Sequence, residues 1–384
     1  MRKIIPICIC IMLFLLSGCA AIIEGDARIV RPHTLVPNER PAVARREASN
    51  FDELKAVILD LVMQHETSGR IIYSWDEDVQ ADIDRAVYDI MSNHPIGAYA
   101  TSAITGVATR IVSYFEIDVS IEYQRTRRQV DAIISVSTPL QLRTELLDAM
   151  SSYRDEAVFR TALRTVTAES VAEMVRELYY QNPRDIVMLP SVAVTLFPEH
   201  GNDRVIEVRF GNTFDAEILR DFGESLADNV RLNAVAADTD ALTLLSLAES
   251  LIATCAYDED MARTISEHGA QNFAATAYGA LVNRSAVGEG FAMAFKALSD
   301  ELELYNRVVL GHLDGMFHAW NIVLIDGQYY HIDVAMGAVN GIETTFMKTD
   351  ADFIAMGYTW DMEAVPRASG ALTFFDINRT ETQQ

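Results

Sequence analysis

Late in the sequence, two histidines and an aspartate stand at spacings that suit acid–base chemistry. They fall in the run FHAWNIVLIDGQYYHIDVAM, as His318, His331 and Asp333. A carboxylate beside an imidazole fixes its tautomer and stabilises its cation, the orienting part of a nucleophile–base–carboxylate triad. The run is a β-hairpin on local signals. Phe317 to Ile325 and Gln328 to Val334 are rich in aromatic and branched residues, and Asp326-Gly327 between them favours a tight two-residue turn. With Ile325 opposite Gln328, Ala335 faces His318 and Asp333 faces Trp320. Alternation then puts His318, Trp320, His331 and Asp333 on one face. His318 and Asp333 become diagonal neighbours, roughly 7–8 Å apart at the backbone, which polar side chains can bridge. A plain hairpin with polar residues on a wet face has the same pattern.

Upstream, AVGEGFAMAF (Ala286 to Phe295) is a turn feeding a helix. Gly288 and Gly290 follow small residues, and Phe291, Phe295, Leu298 and Leu302 recur at helical spacing. A nucleophile at such a helix start gains from the helix dipole, which lowers a thiol pKa.

These two runs together resemble the core of bacterial transglutaminase-like proteins, relatives of papain in fold. That family's pattern is AYGALV, then AVCEGYA on the nucleophile helix, then HAWN and a strand ending in HVDVT. The chain matches at Ala277-Tyr278-Gly279-Ala280-Leu281-Val282, Glu289-Gly290-Phe291-Ala292, His318-Ala319-Trp320-Asn321 and His331-Ile332-Asp333-Val334. TTFMKTDADFIAMGYTWD (Thr344 to Asp361) is similar to the family's closing segment, so the resemblance covers roughly the last 150 residues. It implies a papain-type core with His318 as base, Asp333 as its orienting acid, and Tyr278, Trp320 and Glu289 lining the cleft. One position departs. Where the family carries its cysteine nucleophile this chain has Gly288, which has nothing with which to attack a carbonyl. A smaller departure is Ala335-Met336 after Asp333, where the family often has an aromatic residue.

The rest of the chain must carry this core. With 384 residues, half of them hydrophobic, it can bury two or three cores. Met1-Arg2-Lys3 and the apolar run Ile4 to Leu16 have the anatomy of an export signal. The run ends in Leu16-Ser17-Gly18-Cys19, similar to the bacterial lipobox, whose cysteine is diacylated. The expectation is a lipoprotein exported and anchored to the bacterial cell envelope through lipid on Cys19. Cys8 and Cys10 would leave with the signal, so Cys255 alone remains and no intrachain disulfide follows. A net charge of -24 argues against nucleic acid or anionic lipid as partner. Arg125, Arg127 and Arg128 are read as a solvated face, and Arg184 as a turn residue. No cofactor is called for.

Residues 20–50 read as a tether broken by Pro32, Pro37 and Pro41. Two similar units follow, 51–136 and 137–213, offset by about 88 residues. Leu54, Ile58, Leu61 and Val62 correspond to Leu142, Leu146, Ala149 and Met150. Ile71 and Trp75 correspond to Phe159 and Leu163. Ile83, Val87, Ile90 and Met91 correspond to Val171, Val175, Leu178 and Tyr179. Each second helix stops before proline, at Pro95 and Pro183. A last strand alternates Val119, Ile121, Tyr123 against Ile206, Val208, Phe210. Each unit reads α-β-α-β, with nothing chemical shared. Two helices then lead into the core, placed at 214–384, and the tail from Asn378 reads as frayed. The fold class is α+β: a transglutaminase-like core behind two α-β-α-β units.

Three functions fit this sequence. In the first, the cleft has lost its nucleophile and binds a peptide, glycan or surface protein without cutting it. In the second, an active amide hydrolase or acyl transferase draws its nucleophile from elsewhere, Cys255 or Ser285 being the candidates. In the third, His312, His318, His331 and Asp333 hold a metal such as zinc.

Overall fold

The computed structural model describes residues 45–74, 78–268 and 272–381. The expected export signal, Cys19, most of the expected tether and Trp75 lie outside the described residues.

The first strand, β1 (Arg45–Ala48), begins inside the expected tether. It leads through the Asn50 N-cap, whose side chain accepts from the Glu53 amide, into α1 (Phe51–Met63). Then come β2 (Ser68–Tyr73), α2 (Val79–Asn93), a short α3 (Pro95–Ala100) that opens on the proline, and the hairpin β3 (Thr101–Ile111) and β4 (Tyr114–Tyr123). After α4 (Arg127–Asp131) the pattern returns as β5 (Ile134–Ser135), α5 (Pro139–Ser151), β6 (Glu156–Thr161), α6 (Ala168–Gln181), β7 (Ser191–Phe197) and β8 (Arg204–Gly211). The two four-stranded sheets have the same order, β1-β2-β4-β3 and β5-β6-β8-β7. Each opens with a parallel pair, Arg45 beside Arg70 and Ile134 beside Phe159, and is otherwise antiparallel. Each sheet thus carries two strands more than the sequence suggested, a leading edge strand and the first arm of the closing hairpin. The leading strands are four and two residues long, too short to show a period.

Burial along β8 explains how the units stack. Ile206, Val208 and Phe210 point into one core and Val205 into another, so both faces of this strand are covered. Glu207, 2% exposed, is the polar residue on the face toward the first unit. Arg125 reaches it at 2.5 Å while its guanidinium lies 5.1 Å from the Tyr99 ring, and Arg209 pairs with it as well. Arg125 is therefore a seam residue rather than part of a solvated face: Glu207, 82 residues away, needs a charge partner once buried.

Helices α7 (Ala216–Asn233) and α8 (Asp240–Thr254) lead through the two-residue β9 (Ala256–Tyr257) to α9 (Glu259–His268). Beyond a π-helical turn at Gly279–Asn283 and β10 (Ser285–Ala286) comes α10 (Gly288–Glu301), buried along almost its whole length. It packs against α7, α8 and the sheet of β11 (Asn306–Leu313), β12 (Met316–Ile325), β13 (Gln328–Ile332) and β14 (Tyr358–Trp360), ordered β13-β12-β11-β14. Three more helices complete the chain, α11 (Val334–Asn340), α12 (Asp350–Ala355) and α13 (Phe374–Glu381). The tail read as frayed from Asn378 is thus helical to Glu381.

One hydrophobic core runs from Val136 through α7, α8 and α10 to Ile377, with no gap at residue 214. The described residues from 45 onward form one compact unit. Among the described residues no helix is long and apolar enough to cross a membrane.

Candidate functional site

The hairpin forms in the expected register, Ile325 opposite Gln328 through to Asn321 opposite Ile332. Asp326 and Gly327 take φ of 49° and 76°, the left-handed pair that a tight hairpin turn requires. The ladder stops one residue before Asp333. That residue is the N-cap of α11, and its Oδ1 accepts from the Met336 amide at 2.9 Å. Its other oxygen is free to meet His318, whose Nε2 donates to Oδ2 at 2.6 Å. Tyr358 on β14 donates its hydroxyl to the same Oδ2 at 2.8 Å. Asp333 is 1% exposed and His318 8%.

The pairing has an electrostatic consequence. Burial opposes a charge on His318, but the Asp333 carboxylate and its hydrogen bond outweigh that, so the imidazole pKa stands above its usual 6.5. The same burial and the same carboxylate push the Tyr358 hydroxyl far up, so it remains a neutral donor.

With Nε2 committed to Asp333, Nδ1 turns toward α10 and Gly288. A Cβ built on Gly288 lands on the imidazole, 2.5 Å from Nδ1, and 3.4 Å from the Ala319 carbonyl. The ring thus leans into the volume a side chain at 288 would fill. Glu289, next in the chain, reaches across to α6, where Tyr180 donates its hydroxyl to Oε1 at 2.7 Å. Burial raises the Glu289 carboxyl to about 7 while the bond from Tyr180 pulls the other way.

Trp320 lies behind the site rather than in a cleft wall. It is fully buried, stacks 6.3 Å from His318, and donates Nε1–H to His331 Nδ1 at 3.0 Å. That bond leaves His331 Nε2 as the proton-bearing nitrogen, which meets Asp350 Oδ1 at 3.0 Å. Burial lowers the His331 pKa against the pull of Asp350. Tyr278 packs between Phe222 and Phe273, away from the residues that line the cleft. His312 is exposed at the end of β11 against Phe317. The hairpin face therefore sorts into separate pairs, His318 with Asp333 and His331 with Asp350. Among the described residues no three histidine, cysteine or acidic side chains gather as a metal site would require.

Neither candidate nucleophile reaches His318. Ser285 bonds to Asp258 at 3.2 Å. Cys255 caps the end of α8, and burial pushes its thiol up to about 12.

In front of His318 a cleft of about 420 Å³ opens between α9 and the β11–β12 turn. Tyr257, Leu313, Met316, Phe317 and Met336 give it an apolar lining, with Glu259, Arg263 and Asp314 also present. A smaller cavity of about 40 Å³ adjoins it, bounded by Val287, Gly288, Glu289 and His318. The two share Tyr257, Ala262, Phe317 and His318 in their walls. Sequence reasoning missed Tyr358 and most of this lining. Tyr358 lies in the closing segment singled out by motif, but its approach to Asp333 depends on β14 pairing with β11.

No family model matches the chain, and no curated protein matches it. Solved structures similar to it include a TGase at 9% identity, covering 56% of this chain and 60% of that one, with TM-score 0.28. A candidate cysteine protease from Cytophaga hutchinsonii is similar at 14% identity over 44% of this chain and 70% of its own, with TM-score 0.24. A candidate protease from Parabacteroides distasonis is similar at 7% identity over 68% and 40%, with TM-score 0.20. The chain thus spans less than two thirds of the first of these. The chain itself is a mixed α+β protein with a buried, acid-paired histidine facing a glycine.

Proposed function

We propose that the C-terminal part of this chain is a transglutaminase-like module that binds in its cleft and does not cut. Its ligand is a peptide, a glycan or a surface protein of the cell envelope. The observation that carries this is the pairing of Gly288 with His318: the base and its acid are in place, and the atom they would activate is absent. A thiol, a hydroxyl or an amine is needed to form a covalent intermediate, and a glycine offers none. The cleft beside it remains open and apolar, as a binding site should be. The chain reaches the envelope through lipid on Cys19, a proposal resting on the sequence Leu16-Ser17-Gly18-Cys19.

The test compares the parent with Gly288→Cys on a glutamine-containing peptide. The parent releases no ammonia above buffer, and its buried Cys255 resists a thiol-directed alkylator at pH 6. The variant takes up one equivalent of alkylator, provided the His318 ring swings out of the added side chain's way. Gly288→Ala controls for that displacement, since it moves the ring without adding a thiol. Ammonia release by the parent that vanishes in His318→Ala would overturn the non-catalytic reading. Lipidation is read from intact mass, which in Cys19→Ser should fall by the acyl chains.

A further inference from the structure

Strand β11 is covered along its whole length on one side and only in part on the other. It pairs with β12 from Asn306, opposite Val323, to Leu313, opposite Met316. On its other side β14 meets it only at Gly311, His312 and Leu313. The phase of these ladders is fixed at both ends. The Leu324 amide donates to the Tyr305 carbonyl at 3.3 Å, and the Asp314 amide donates to the Gly357 carbonyl, beside β14, at 3.2 Å. In antiparallel pairing, successive residues turn their N–H and C=O to opposite sides. Arg307 and Val309 therefore bond toward β12, while Val308 and Leu310 turn theirs the other way, past the end of β14. Among the described residues nothing bonds to these four groups. Val308 is nevertheless 6% exposed, and buried backbone groups are rarely left unpaired.

The second observation is the space in front of them. A groove of about 290 Å³ lies between α6 and the chain from Asp361 to Val365, with Arg307 to Leu310 along its floor. It shares no wall residue with the cleft before His318. Most of its charges have partners. Glu173 pairs with Arg176, Glu177 pairs with Arg143, and Asp361 accepts from the Glu363 and Ala364 amides. Arg307 donates to the Ala364 carbonyl at 2.7 Å and, among the described residues, pairs with no carboxylate.

We propose that this groove binds an extended peptide as an added strand beside β11, in the row that β14 begins. Three residues of extended chain rise about 10 Å. Their backbone supplies the acceptors and donors that Val308 and Leu310 lack. A peptide side chain opposite Val309 falls on the face where Val309 and Val365 share an apolar cluster, so an apolar residue suits it. Arg307 lies on that same face by alternation, two positions along the strand. A carboxylate two positions from the apolar residue therefore meets the unpaired guanidinium. The partner is an extended segment in which an apolar and an acidic residue stand two apart.

The test uses the full chain and the peptide N-acetyl-Thr-Asp-Thr-Val-Thr-Asp-Thr-amide, which carries this pattern in either direction. It binds saturably in calorimetry and slows exchange of the Val308 and Leu310 amides, read by mass spectrometry. Methylating the backbone nitrogens of its central Thr-Val-Thr weakens binding about tenfold. Replacing both aspartates by asparagine weakens it about threefold, and in Arg307→Gln that difference disappears. No binding of the parent peptide overturns the added strand, and so does equal binding of the methylated one. Binding indifferent to the aspartates overturns the acidic partner. Amides of β11 already protected without peptide overturn the proposal too. Protection that grows with protein concentration makes the edge an interface between copies, and protection at every dilution means that the chain fills its own groove.

Discussion

Asp333 holds the site together, and each of its three contacts has a separate origin. The amide of Met336 comes from helix capping, the imidazole of His318 from the hairpin diagonal, and the hydroxyl of Tyr358 from a strand on the far side of the sheet. The first two are legible in the sequence because they depend on turn chemistry and alternation over a few residues. The third is not, since nothing local says which strand lies beside β11. Asp333→Asn keeps the cap acceptor and removes the charge. His318 then loses what raises its pKa while its burial stays, so its titration should fall from above 6.5 to below it. The stability that the pair contributes is whole below pH 6.5 and fades as pH rises through the raised pKa of His318. Urea unfolding of the variant should therefore show its larger deficit at pH 6, about 1–3 kcal/mol, and a smaller one at pH 9. A deficit that grows with pH would mean that His318 is neutral throughout.

At the scale of elements, α10 is held at both ends by the second unit. Tyr180 on α6 donates to Glu289 at the helix start, and Arg184, just beyond α6, pairs with Glu301 at the helix end. Sequence reading makes Arg184 a turn residue and places Glu289 at the cleft, where it does border the small cavity, but misses both ion-pair and hydrogen-bond partners because they are more than a hundred residues away. The helix itself is plain from the spacing of its aromatic residues, but its burial along almost its whole length is not. Only the packing of α7, α8 and the sheet around it accounts for that. Glu289 gives the clamp a pH dependence. Its folded pKa of about 7 lies above the ordinary 4.5, so the folded chain holds the proton more tightly. The parent's stability accordingly declines as pH climbs from 4.5 through 7. Glu289→Gln has no such proton to lose. Measured by urea unfolding, its stability relative to the parent should rise by about 3 kcal/mol between pH 4.5 and pH 8. A difference that stays flat would mean that the carboxyl ionises as freely in the fold as in the unfolded chain.

For the whole molecule the question is whether the two like-ordered sheets and the C-terminal part unfold as separate bodies. The sequence suggests boundaries at 137, from the offset between the two similar units, and at 214, where the pattern turns helical. The packing joins what the pattern divides. The second sheet and the C-terminal helices share one core, and Val158 and Val205 from that sheet belong to the core of the first unit. The polar link across the first seam is Arg125 with Glu207, a pair whose acid is 2% exposed. Arg125→Met keeps most of the side-chain volume over Tyr99 but leaves Glu207 with Arg209, itself largely exposed, as its remaining cation. Stranding a buried charge in this way costs about 3 kcal/mol. Because the second sheet contributes side chains to both cores, that loss should appear as one displaced unfolding transition with an unchanged denaturant slope, reported alike by tryptophan fluorescence and far-UV dichroism. All three tryptophans lie outside the second unit, at 75, 320 and 360, so fluorescence follows ends of the chain that dichroism averages. Arg127→Met is the control, its pairing with Asp131 being solvent-exposed and worth little. Two transitions in the Arg125 variant, with only the earlier one displaced, would show that the seam joins bodies able to fold alone.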